Sequence, residues 1–111
     1  KSIQNIETVR KYIDRYYTMP ITLDMTAEAA GYSKYYLSRV LSGNGTSFTD
    51  LLNERRIKAA EILLHDENYP VTQIAMDVGF ASITTFNRAF RSIKGCTPTQ
   101  FRAMYRAENS L

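Results

Sequence analysis

The side chains best equipped for chemistry in this chain fall in two short segments, residues 34–39 and 83–94. At helical spacing Tyr35, Ser38 and Arg39 share one face, and Ile83, Thr84, Asn87 and Arg88 share another. These residue types suit the edges of bases in a major groove. Arg grips guanine with two hydrogen bonds, Asn reads adenine, and Ile or Thr meets the thymine methyl. Ile83 is the informative one, because an exposed Ile on a polar face needs a reason. Lys34, Tyr36, Ser82, Thr85, Arg91 and Lys94 are expected on phosphates, contacts that set position without reading sequence. Tyr36 has a second expected role, packed against its own domain. Arg39 and Arg88 hold equivalent places in two related segments, which sets them apart from isolated surface arginines.

Other chemistries lack their parts. A single cysteine, Cys96, excludes an internal disulfide framework and a multi-cysteine zinc site. A single histidine, His65, leaves no partner for a His-based metal site. Cys96 reads as a small packing residue and His65 as a helix-terminal one. With no nucleophile–base pair and no metal cluster, neither enzymatic activity nor a cofactor is expected.

Charge supports an anionic partner. The chain has 14 Lys and Arg against 11 Asp and Glu, a net +3, but the arrangement matters more than the sum. No acid lies between Glu28 and Asp50, or between Asp77 and Glu108, and the second window holds Arg88, Arg91, Lys94, Arg102 and Arg106. Such windows fit double-stranded DNA. The rival is a helical protein-interaction module contacting RNA polymerase or another regulator, and one chain could do both. No run of about 18 apolar residues could span a membrane, and no export segment is visible, so a cytoplasmic location is expected. The chain opens at Lys1 without a Met, as expected of a domain from a longer protein, with an effector or signalling domain elsewhere in it.

The elements that must position these residues are helices, since two-residue periodicity is missing. A first helix is expected from about Ile3 to Tyr17, with Ile3, Ile6, Val9, Ile13 and Tyr17 on its apolar face. Thr22 caps a short helix, Leu23 to Ala30, that stops at Gly31. Ser33 caps a third with Leu37, Val40 and Leu41. A loop over Ser42-Gly43-Asn44-Gly45 follows. Ser47 and Asp50 then open a long helix carrying Leu51, Leu52, Ala59, Ala60, Leu63 and Leu64, ending near His65. Val71 to Val78 is short and helical, Gly79 is the turn, and Ser82 caps a helix with Phe86, Ala89 and Phe90. Thr97-Pro98-Thr99-Gln100 opens the last helix, running to about Glu108 with Phe101, Met104 and Tyr105 inward.

An internal repeat organises the whole. Leu23, Ala27, Gly31 and Tyr32 match Val71, Ala75, Gly79 and Phe80 at an offset of 48. Ser33, Leu37, Arg39 and Leu41 match Ser82, Phe86, Arg88 and Phe90 at 49, and Gly45, Ser47 and Leu51 match Gly95, Thr97 and Phe101 at 50. A short helix, a Gly-centred turn and a capped second helix make a helix-turn-helix. The expected architecture is all-α, about seven helices, with subdomains at 1–47 and 67–111 joined by a linker helix at 48–66.

Nearly the whole chain resembles the DNA-binding domain of the AraC/XylS transcription regulators. The second unit carries this through Ile74-Ala75, Val78-Gly79-Phe80, Phe86-Asn87-Arg88-Ala89-Phe90, Gly95-Cys96-Thr97-Pro98 and Phe101-Arg102. The first unit is similar through Gly31-Tyr32-Ser33, Tyr36-Leu37-Ser38-Arg39 and Gly45-Thr46-Ser47-Phe48, with Arg56 and Ala60 following. The resemblance implies a bacterial transcription regulator whose two recognition helices, about one DNA turn or ~34 Å apart, enter adjacent major-groove segments. It also implies that Tyr35, Ser38, Arg39, Ile83, Thr84, Asn87 and Arg88 face bases. The chain departs from the family pattern at Leu41-Ser42, where Phe-Lys is usual, and at Thr26, where an apolar residue is usual.

Overall fold

The computed structural model describes residues 2–110, with side chains from Asn5 onward. The side chain of Ile3, expected on the first apolar face, lies outside the described residues. Seven helices and no strand occur among the described residues: α1 Ser2–Tyr16, α2 Leu23–Ala30, α3 Lys34–Gly43, α4 Phe48–Leu63, α5 Val71–Asp77, α6 Ile83–Lys94 and α7 Pro98–Asn109. Chain contacts divide them into two units, Lys1–Arg55 and Arg56–Leu111, so the division falls within α4.

Local chemistry sets most helix ends. The side chains of Thr22, Ser33, Ser82 and Thr97 accept hydrogen bonds from the backbone N–H groups of Met25, Tyr36, Thr85 and Gln100. Each satisfies a donor that the first helical turn leaves without a partner. At α7 the Gln100 side chain also accepts from the Thr97 N–H at 2.9 Å, closing a capping box. Gly31 and Gly79 adopt φ of 79° and 108°, which side chains with a Cβ rarely tolerate. In both turns the following aromatic residue donates its N–H back to the buried alanine's carbonyl, Tyr32 to Ala27 and Phe80 to Ala75.

In the first unit α1 packs against α2 and α3. Val9, Ile13, Ile21, Ala27, Leu37, Leu41, Phe48, Leu51 and Leu52 form one core. Polar groups enter it with partners. Thr26 is fully buried, and its hydroxyl donates to the Thr22 carbonyl at 2.9 Å. The helix's own backbone therefore accommodates the one hydroxyl that replaces a usual apolar residue.

The second unit buries Ile57, Ala60, Leu64, Ile74, Ala75, Val78, Phe80, Phe86, Ala89 and Phe90. Rings run through it in sequence, with centroids of Phe80–Phe86 at 5.3 Å, Phe86–Phe90 at 5.8 Å and Phe90–Phe101 at 5.6 Å. These tilted and edge-on arrangements are the ones that ring quadrupoles favour. Arg56 is buried with its guanidinium 5.5 Å from the Phe80 ring centre. Burial lowers its pKa from the usual guanidinium value.

Four expectations change. α3 runs through Ser42 and Gly43, so the loop is shorter than composition suggested. Ile57, omitted from the expected α4 stripe, is fully buried, while Ala59 and Leu63 are only half-buried. The two units take different stretches of α4, residues 48–55 and 56–63, so one stripe could not describe it. Met104, expected inward, is exposed, whereas Phe101 and Tyr105 are half-buried. Val78 caps α5 and does not belong to it.

Candidate nucleic-acid interface

Helix α3 buries Leu37 and Leu41 and helix α6 buries Phe86 and Phe90, each pair four residues apart. Fixing that face determines the opposite one. On α3 it presents Lys34, Tyr35, Ser38 and Arg39, all exposed, with Tyr35 at 72%. On α6 it presents Thr84, Asn87, Arg88 and Arg91, all exposed. Neither helix has an acidic residue of its own in its first turn, although Asp24 of α2 lies beside Lys34 at the start of α3.

Ile83 requires a correction. It is half-buried at the first turn of α6, so part of the side chain is already covered by its own unit. Its position one turn before Asn87 still places its remaining surface at the edge of the outward face.

Free cations and committed ones separate clearly. Arg39, Arg88 and Arg91 make no ion pair or side-chain hydrogen bond among the described residues. The other basic residues of the second acid-free window do. The Arg102 Nε donates to the Leu64 carbonyl at 2.9 Å, and its Nη2 donates to those of Asp66 at 3.0 Å and Tyr69 at 2.6 Å. That guanidinium binds the chain leaving α4 to α7. Arg106 pairs with Glu67 at 2.6 Å, and Lys94 with Glu61 at 3.1 Å. Lys34 lies 3.6 Å from Asp24. An acid-free stretch of sequence thus contains three residues whose anionic or carbonyl partners lie more than 30 positions away.

The remaining expected phosphate contacts are local in character. Ser82 Oγ accepts from the Thr85 N–H at 3.1 Å and donates to Thr85 Oγ1 at 3.0 Å, so both side chains are engaged in the α6 cap. The Tyr36 hydroxyl accepts from Asn5 Nδ2 at 2.9 Å, and its ring lies 5.4 Å from that of Tyr32. The Tyr32 hydroxyl donates to Asn5 Oδ1 at 2.5 Å. Asn5 is 5% exposed and ties α1 to α3. Sequence reasoning missed it, as a lone Asn in an amphipathic helix carries no signal of its partners. Cys96 is half-buried as a free thiol, and His65 stacks on Tyr105 at 3.7 Å. No group of three or more metal-ligating side chains occurs among the described residues.

Known proteins resemble this arrangement. A family model for the helix-turn-helix domain matches residues 26–104. The regulatory protein SoxS of Salmonella typhimurium is 34% identical over 100 residues, spanning 89% of this chain and 94% of SoxS. A Chromobacterium violaceum transcriptional regulator, described with AraC-type DNA-binding domain-containing proteins, is 25% identical with a TM-score of 0.82, covering 92% of each chain. The DNA-binding domain of AdpA, a global transcriptional factor solved with a target DNA, is 26% identical with a TM-score of 0.81, covering 96% of each chain.

Proposed function

The chain belongs to the AraC/XylS family of DNA-binding transcription regulators, and from that premise we propose that α3 and α6 read successive major-groove segments of one duplex. Tyr35, Ser38 and Arg39 face bases from α3; Ile83, Thr84, Asn87 and Arg88 do so from α6. The observation supporting this reading is that Arg39 and Arg88, equivalent in the repeat, are both exposed and both without an ion-pair or side-chain hydrogen-bond partner among the described residues. A free guanidinium keeps all its donors for guanine, and the planar fork suits two acceptors at once.

Among the phosphate contacts Arg91 stands first, since its charge is uncommitted. Lys34 and Lys94 serve there only by turning away from Asp24 and Glu61. Ser82, Thr85 and Tyr36 contribute hydroxyls already oriented by neighbours. The protein works in the cytoplasm without a cofactor or a catalytic step. Contact with RNA polymerase and an input module outside these residues complete the reading.

Binding to a duplex selected from a random pool tests it. Arg88→Ala is expected to weaken binding by about 1–3 kcal/mol and to relax preference at one base pair. Arg39→Ala should do the same at a different position. Equal losses on selected and random duplexes would place these arginines on phosphates and reject base reading.

A further inference from the structure

A half-open cavity of about 510 Å³ lies beside α3 in the first unit. Ile21, Leu41 and Phe48 contribute to its apolar walls, and no Asp, Glu, Lys or Arg among the described residues lines it. Hydroxyl groups supply its polarity. Those of Thr22 and Ser47 are spent as helix caps, accepting from Met25 and Asp50 N–H. Those of Ser38, Ser42 and Thr49 are exposed and make no hydrogen bond among the described residues. Three uncommitted donors therefore open into one cavity that touches the outward face of α3.

The repeat identifies what belongs there. Ser42 corresponds to Arg91 at the offset of 49 that relates α3 to α6. Arg91 is the free cation of the second unit best placed for a phosphate. In the first unit Lys34, a cation expected on a phosphate, is partly neutralised by Asp24, and Arg39 is assigned to a base. The geometry points to Ser42 and Thr49 as neutral donors to the DNA sugar–phosphate backbone. This assignment rests on the reading of α3 as a DNA-reading helix. Its consequence is an asymmetric grip. The second unit holds the backbone with charge, whereas the first holds it with hydroxyls.

Salt dependence separates the two, because a cation on a phosphate releases counterions and a hydroxyl does not. Binding of the whole chain to a duplex selected by the wild-type protein is measured across a salt series. Arg91→Ala is expected to lower the slope of log K against log salt by about 0.9. Ser42→Ala and Thr49→Val should each weaken binding by about fivefold while leaving the slope unchanged. Ser42→Arg, restoring the repeat's cation, should tighten binding at low salt and steepen the slope by about 0.9. Both positions are exposed, and unchanged thermal unfolding verifies that the variants fold. A Ser42→Ala/Thr49→Val double variant that binds within twofold of wild type overturns the assignment, as does Ser42→Arg with an unaltered slope. Wild-type protein indifferent to every duplex would overturn the underlying reading as well.

Discussion

The two units carry one repeat but are held together by different interactions. At equivalent places the second unit has Phe80, Phe86, Phe90 and Phe101, and the first has Tyr32, Leu37, Leu41 and Leu51. The second accordingly contains a continuous run of ring contacts, with an arginine clasp outside it. The first compensates with a polar link, Tyr32–Asn5–Tyr36, and a buried Thr26 bonded to its own helix. The lesson is that the turn geometry and the outward face tolerate either filling. What both units retain is a small residue before the turn, a left-handed Gly within it, and an i, i+4 apolar pair behind the outward face.

The largest expected effect tests the aromatic run. Phe86→Ala should cost about 3–5 kcal/mol in denaturant unfolding, since a fully buried ring leaves a cavity and its neighbours lose their edge contacts. Leu37→Ala, its counterpart, should cost less; equal losses would show that ring packing is not what distinguishes the units. Next comes the clasp. Arg102→Lys is expected to lose about 1.5–3 kcal/mol, because an ammonium cannot span three carbonyls fixed for a planar fork. A fully stable lysine variant would reduce the clasp to a surface contact.

The polar link of the first unit should be weaker. Asn5→Ala is expected to cost about 1–2 kcal/mol, as the two tyrosine hydroxyls can turn partly toward water. A double-mutant cycle with Tyr32→Phe that shows simple additivity would dismiss the link as a coupled unit. The smallest effect lies at the exposed Tyr69–Asp77 contact of the second unit. Hydrogen bonds from Tyr69 and then Gln73 hold the Asp77 carboxyl below its ordinary range, and the same contact raises the Tyr69 phenol. The lowered carboxyl stabilises the fold above its unfolded pKa, and that contribution is lost as pH falls through its folded value. Tyr69→Phe should move Asp77 upward in an NMR titration, toward the ordinary carboxylate value. An unmoved titration would assign the depression to Gln73.

Much of this arrangement could be read without coordinates, for a physical reason. Thr22, Ser33, Ser82 and Thr97 cap helices through bonds spanning three residues, so the neighbouring sequence contains both partners. The outward faces followed from the same local logic, because burying Leu37 and Leu41 leaves Ser38 and Arg39 on the other side. Ile83 and Met104 were misplaced because helical spacing gives a face but not how far a neighbouring element covers it. The stripe on α4 was misjudged because that helix serves two units, and Ile57 faces the second.

The amino-acid sequence by itself determined the helices, most of their ends, the repeat and the two candidate reading faces, because each depends on residues within about one or two turns. Only tertiary structure decided which cations are free to meet DNA. Arg102, Arg106 and Lys94 find partners 38, 39 and 33 residues away, respectively, whereas Arg39, Arg88 and Arg91 find none among the described residues. Charge is a property of composition, but its availability depends on distance. Folding brings carboxylates and carbonyls to some guanidinium and ammonium groups and leaves the others to the solvent.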